Sequence, residues 1–258
     1  MPILIRNLTL GLDEPEDMLR DRAAARLRVK PDDIRLWAIV RRAIDARRHD
    51  RLAFTYNLEV ALAGPRKREA QLVRRLRRPD VQMLTPEPPA VLEPGRQPLR
   101  ERPIIVGFGP AGMFAAYLLA QYGYRPIVIE RGQDVSTRHH DIMVDYYRKR
   151  QFHPESNLLY GEGGAGTYSD GKLYTRVNDP RVRTVLEIFY QHGANPDILI
   201  DGKPHVGSDK LPGICRRIRL HIEALGGEVR VGARLDDVTI EDGQLRAVTI
   251  NGERIPCG

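Results

Sequence analysis

Cysteine is nearly absent from this chain. Its 258 residues hold two, Cys215 and Cys257, far apart and in neither a metal-ligand nor a C-x-x-C spacing. That excludes a disulfide scaffold and a dithiol redox centre, gives no metal site, and suits a reducing compartment. Aromatics are sparse too, at 6% with one tryptophan. No apolar run approaches the roughly 18–20 residues of a membrane-spanning helix. The start, MPILIRNLTL, lacks the basic n-region, long apolar core and small-residue cleavage site of a secretory leader. A cytoplasmic protein with no membrane partner is expected. The rest, 41% hydrophobic and 29% charged, is the composition of a globular chain with room for two domains.

Charge is unevenly placed. Residues 1–100 carry 21 Lys or Arg against 14 Asp or Glu, the whole of the net +7, while residues 101–258 carry 20 of each. A basic half is one signature of polyanion binding. An Arg-rich solvated surface explains it as well and is the favoured reading, so no nucleic-acid partner is expected. Phe54 and Tyr56 share one face of a strand, but the glycine-aromatic pattern of an RNA-recognition strand is missing, and packing is the role read for them.

The most informative stretch is PIIVGFGPAGMFAAYLLAQYGYRPIVIERG, from Pro103 to Gly132. Ile104, Ile105 and Val106 read as a buried parallel strand. Gly107, Gly109 and Gly112 follow at dinucleotide-fingerprint spacing: the first for the sharp turn, the second for close approach of a pyrophosphate, the third for close helix–sheet packing. A helix from Pro110 to Gln121 presents its N-terminus, with unpaired N–H groups and a partial positive charge, to the phosphates. Gly123 stops it. A second apolar strand, 126–129, ends at Glu130, placed to accept hydrogen bonds from a ribose diol.

Around this unit the chain parses simply. Residues 2–10 alternate like a strand. A helix starts near Asp13, a candidate cap, and runs to Leu27. Strands follow over 34–43 and 52–62, joined by a hairpin-like IDARRHD, and a short helix or strand lies near 69–76. Residues 1–80 therefore read as a small α+β domain, ferredoxin-like in pattern. Seven prolines between 79 and 103 make residues 81–102 an extended linker. Residues 103–258 form the third segment, a Rossmann-like three-layer α/β domain. In it a charged helix spans 134–150. The glycine cluster at 157–173 reads as an anion-binding nest of exposed N–H groups. Helices follow over 180–193 and 210–225, the second with Asp209 as a candidate cap. Strands over 228–231, 235–241 and 245–250 end the fold, the first extending the parallel sheet and the others forming a meander across it. Lys203 and His205 flank Pro204 and are the candidate catalytic pair, since imidazole titrates near neutrality. A satisfied structural histidine is the equal alternative.

IIVGFGPAGMFAAYLLAQYG with its closing IERG resembles the cofactor loop of two-dinucleotide-binding flavoproteins. RRAIDARR at 41–48, HPESN at 153–157, GEGGAGTYSDGKLYTR at 161–176 and KPHVGSD at 203–209 are similar to the long motifs of the bacterial uncharacterised FAD-dependent dehydrogenases. The resemblance implies an FAD-dependent oxidoreductase. Gly107, Gly109, Pro110, Ala111 and Gly112 would hold the pyrophosphate, Glu130 the ribose, and Arg131 would lie beside it. Gly163, Gly164 and Thr167 would approach the flavin, and the backbone at Leu235 would read adenine. The substrate and electron acceptor are not specified, and NAD(P)H is a candidate partner. An NAD(P)-dependent reductase on the same fold is the alternative, although Glu130 speaks against a 2′-phosphate. Such flavoproteins continue past the meander with another parallel strand, so a fragment is expected here, incomplete at the flavin site.

Overall fold

The computed structural model describes residues 1–47, 52–65, 67–85, 93–95, 99–177 and 179–257. Residues 48–50 of the turn read over 44–50, Arg48 of the RRAIDARR motif among them, and 86–92 and 96–98 of the linker read over 81–102, lie outside these residues. Ile44 and Asp45 continue the preceding strand, and Val81–Met83 are a strand rather than linker. The chain divides into two units. One comprises Met1–Ala90, Tyr174–Leu186 and Pro196–Pro204, the other Val91–Leu173, Glu187–Asn195 and His205–Gly258.

In the first unit the order is β1 (Ile3–Gly11), α1 (Met18–Leu27), β2 (Ile34–Asp45), β3 (Ala53–Leu62), α2 (Lys67–Leu76) and β4 (Val81–Met83). The strands form one antiparallel sheet, β2-β3-β1-β4, the ferredoxin-like βαββαβ arrangement. Its core follows strand alternation. Tyr56, Leu58, Val60 and Leu62 of β3 are buried at every second position. In β1 the apolar phase changes, with Ile3 and Ile5 followed by Leu8 and Leu10. A bulge absorbs the change. Asn7 sits at φ 57°, the register slips between Ile5 and Leu8, and all four side chains reach the core. The helix start differs from the reading at Asp13. Gly11 N–H donates to Glu14 Oε2 and Glu16 accepts from Tyr56 Oη. The acids are used in a turn before the helix, which starts at Met18 with no side-chain cap.

The second unit opens with β5 (Ile104–Val106), α3 (Pro110–Gln121) and β6 (Ile127–Glu130), the expected βαβ unit. Later come α6 (Leu211–Ala224) and β7 (Glu228–Val231), which pairs parallel to β6. Between them lie α4 (Val135–His140) and part of α5 (Arg181–Gln191). The final strands β8 (Leu235–Glu241), β9 (Gln244–Ile250) and β10 (Glu253–Pro256) make an antiparallel meander. It packs on one face of the parallel sheet, with Ile127 and Ile129 against Val248, Ile250 and Cys257. Alternation sends the fully buried Val128 to the other face, where α3 contacts both β5 and β6 and also α6. The result is three layers. Each large aliphatic side chain buried between them contributes about 1.5–3 kcal/mol.

Two elements depart from the expected pattern. The charged helix over 134–150 is divided: α4, capped by Asp134 through Ser136 N–H, gives way to a π-helical turn, Asp141–Tyr146. In that wider turn residues five apart are stacked, which brings His140 over Asp145. Asp209 does not cap α6, whose N-cap is Lys210.

Candidate functional site

The site lies where β5 and β6 end. Gly107 continues the ladder by donating to the Ile129 carbonyl at 2.7 Å, then turns the chain at φ 91°. Gly109 is the N-cap of α3 and Pro110 its first residue, where a missing N–H costs nothing. A Cβ on Gly107 would meet nothing within 4 Å, and one on Gly109 only the Gly164 Cα at 3.9 Å. Those two positions form an open backbone cradle, beside the first-turn N–H groups that a helix cannot satisfy internally. Gly112 is different. A Cβ there would stand 1.9 Å from the Gly107 carbonyl oxygen, so only glycine lets the helix lie against its own entry turn.

Glu130 is 5% exposed, and its carboxylate organises the loops. Oε2 accepts from Phe108 N–H at 2.8 Å, and Oε1 from Gly132 N–H at 2.9 Å and Gly161 N–H at 3.0 Å. A carboxylate has about four acceptor positions. Three are occupied by backbone, and the remaining one is on Oε2. The diol reading is narrowed accordingly to a single hydroxyl. Gly132 shows why a glycine closes the IERG run: a Cβ there would lie 2.4 Å from the Gly161 nitrogen.

The second glycine cluster is closed rather than open. Gly161 N–H goes to Glu130, Glu162 N–H to the Gln133 carbonyl, Gly163 N–H to the Phe108 carbonyl and Gly164 N–H to the Gly161 carbonyl. Thr167 Oγ1 donates to the Glu162 carbonyl. The nest expected from the sequence is therefore absent at 161–164, because its donors hold the loop against the first glycine turn. Gly164 forms the side wall of the Gly109 cradle. The structure thus brings together Gly107, Gly109, Pro110, Ala111, Gly112, Glu130, Gly163 and Gly164, with Thr167 pinning the loop from behind.

Arg131 leaves the strand end beside Glu130 and pairs with Glu155, 2.7 Å from its Nε, while stacking over Tyr160 at 4.1 Å. Arg234 reaches the same carboxylate. Leu235 begins β8 opposite Ile250, partly buried against the sheet–meander core. His205 is exposed, its backbone bridged to Lys172. Lys203, in the other unit, is exposed beside Arg41 and Arg42. The expected pair thus divides between the two units.

Several supporting residues were given no role by the sequence, although some lie in its quoted motifs. Arg138 is fully buried and has four carbonyl partners: Asn157, Leu158, Glu162 and Gly164. Its guanidinium lies 5.1 Å from the Tyr168 ring centroid. Burial lowers its pKa, opposed by Tyr168 and Glu130. Glu162 is fully buried as well, accepting from Val135 N–H and Arg219 Nε. Burial raises its pKa above the ordinary carboxylate range, and the two donors oppose the rise. The HPESN run has a task for four members. His153 meets Asp145, Glu155 takes Arg131, and Ser156 donates to Asp141. Asn157 donates to the carbonyls of His153 and Pro154 and accepts from Leu159 and Tyr160. Cys215 backs Gly163, and burial pushes its thiol up to about 12, so it is neutral and no nucleophile near pH 7.

Residues 105–157 match the family model described as an NAD(P)-binding Rossmann-like domain. This part of the chain has a dinucleotide-binding fold. Residues 1–61 match a domain of unknown function, DUF8436. Among curated proteins, an uncharacterized protein of Clostridium beijerinckii is 38% identical over 257 residues, covering 100% of this chain and 47% of its own length. A thiamine thiazole synthase of Aeropyrum pernix is 26% identical over 153 residues, 59% of this chain and 44% of that protein. The chain thus spans about half the length of the curated relatives it matches. The crystal structure of Thermovibrio ammonificans THI4 aligns at 20% identity and a TM-score of 0.36, over 58% of this chain and 47% of that one. Among the described residues, no helix is long and apolar enough to cross a membrane.

Proposed function

We propose that this chain is the FAD-binding part of an FAD-dependent oxidoreductase. The observation that carries the reading is the Gly107–Gly109 cradle at the N-terminus of α3 with the Glu130 carboxylate at the adjacent strand end. The residues present fit a dinucleotide: side chains at Gly107 and Gly109 would occupy the space a diphosphate needs, and Glu130 keeps one acceptor position. When bound, FAD would supply two-electron redox chemistry, and the protein its orientation and electrostatics. The first-turn amides of α3, Ala111 and Gly112 among them, would hold the diphosphate. Glu130 would accept one ribose hydroxyl, and Arg131 would lie at the ribose edge. Gly163, Gly164 and Thr167 would shape the side toward the ring, and Leu235 would offer backbone atoms to adenine. His205, exposed beside Lys172, is the group we assign to proton transfer. Lys203 is assigned a separate role below.

A nicotinamide dinucleotide is the second reading, favoured by the description of the family model over 105–157. Reconstitution separates the two. The purified chain, incubated with FAD and desalted, is expected to stay yellow and to release FAD on denaturation. A colourless protein whose melting temperature rises with NAD(H) or NADP(H), and not with FAD, refutes the flavin reading and supports the nicotinamide one.

A further inference from the structure

The first unit contains a pocket of about 590 Å³, lined by Arg41, Ala43, Ile44, Phe54 and Lys203, with Arg42 and Asp201 at one side. Its size falls in the usual range for small-molecule sites. The sequence returns to build it. Residues from 200 to 202 lie along the outer strand β2, with Arg42 N–H on the Ile200 carbonyl at 2.7 Å and Gly202 N–H on the Arg42 carbonyl at 2.8 Å.

The pocket's cations are of two kinds. Arg42 is held by Asp201 at 2.9 Å, Asp197 at 3.2 Å and Glu16 at 3.5 Å. Its charge is answered, and its task is to fix the returning segment. Arg41 and Lys203 have no carboxylate partner among the described residues. Arg41 Nε and Nη2 lie 3.3 Å from where a Cβ on Gly202 would stand, so Gly202 leaves the space the guanidinium occupies. Ala43, Ile44, Ala46 and Phe54 supply the apolar part of the lining. Phe54, opposite Ile44 in the register, is a half-buried ring tilted against Tyr56.

We infer that this pocket binds a small organic anion with a flat apolar body. Its carboxylate or phosphate is held by Arg41 and Lys203, and its body lies on Phe54 and Ile44, which the register sets side by side. Two unanswered cations select the charge, and arginine's planar fork suits both oxyanions. The concavity and apolar walls favour a compact ligand over a polynucleotide, which needs a groove that tracks a backbone. The proposal stands on the first unit alone and is independent of the flavin reading.

The test is calorimetric titration of the intact 258-residue chain with 1-naphthoate and 1-naphthyl phosphate. Neutral 1-naphthylmethanol and a 15-nucleotide oligothymidylate serve as comparisons. Either anion is expected to bind about tenfold or more tightly than the alcohol, the tighter one naming the head group. The double variant Arg41→Gln, Lys203→Gln should bring the anions to the alcohol's level. Both side chains are exposed, so its melting temperature should stay at the wild-type value. Phe54→Leu should weaken anions and alcohol alike. Equal binding of the alcohol, an unaffected double variant, preferential binding of the oligonucleotide, or no binding of either anion at millimolar concentration would each overturn the proposal.

Discussion

Replacing Glu130 by glutamine tests whether one carboxylate holds the two glycine loops together. The amide retains one acceptor oxygen. Turned toward Gly132 and Gly161, it keeps two of the three N–H bonds and aims its NH2 at Phe108 N–H, which donates to Oε2 in the native protein. One charge-assisted bond is lost, worth about 1.5–3 kcal/mol, and two buried donors are left facing each other. A loss of about 2–4 kcal/mol results, which for a chain of this size lowers the melting temperature by roughly 4–16 °C. Glu130→Ala removes all three acceptors and should prevent the second unit from folding. Glu130→Gln also places a donor where Oε2 has its last acceptor position, so FAD affinity should fall about tenfold, the worth of one hydroxyl bond to a charged group. Thermal melts with and without FAD read both effects. If Glu130→Gln melted within about 1 °C of wild type, the carboxylate would not be the element that ties the loops.

Three other outcomes follow from the packing. Gly112→Ala sets a methyl 1.9 Å from a backbone oxygen that cannot swing aside; it should cost about 3 kcal/mol or more in urea unfolding, whereas Gly166→Ala, with nothing within 4 Å, should be silent. Arg138→Gln has two donors for four carbonyls, and the two left bare should cost about 3 kcal/mol and expose residues 157–164 to limited proteolysis; proteolysis unchanged from wild type would show that the loop holds itself. His192 is buried, and that burial depresses its pKa below 6.5, with His221 and Arg217 adding to the effect. It therefore stays neutral in the folded state while the unfolded chain takes up a proton. Its contribution to stability is present above pH 6.5 and lost as pH falls through the depressed value. Compared with His192→Asn, the wild-type urea midpoint should drop more between pH 8 and 5.5, and parallel curves would remove His192 as the cause.

Much of the dinucleotide unit was legible because it is local. The apolar run at 104–106, the glycine spacing and the acid at 130 lie within thirty residues, and α3 spans the predicted 110–121. The ferredoxin-like unit was readable in outline from alternation, but residues 2–10 read as one unbroken alternation, and the bulge at Asn7 shows only in the structure. What escaped is what depends on distant partners. Arg138 looks like one more charge in a polar helix, and nothing in TRHH says that it turns inward to four carbonyls. The glycines at 161–164 looked open because composition does not reveal whose acceptors their N–H groups meet. Glu130 was assigned to a ligand without its prior claim to Phe108, Gly132 and Gly161. Lys203 and His205 are two apart in sequence, yet they belong to different units.

The bridge between Arg42 and Asp201, 159 positions apart, also bears on synthesis. When the first eighty residues leave the ribosome, β2 is an outer strand with its hydrogen-bonding edge bare. Around Arg42 that edge stays uncovered until more than a hundred further residues have been translated. The nascent chain must therefore carry a sticky margin through much of its elongation, a period in which a chaperone or a neighbouring nascent chain competes for the place that residues 200–202 finally take.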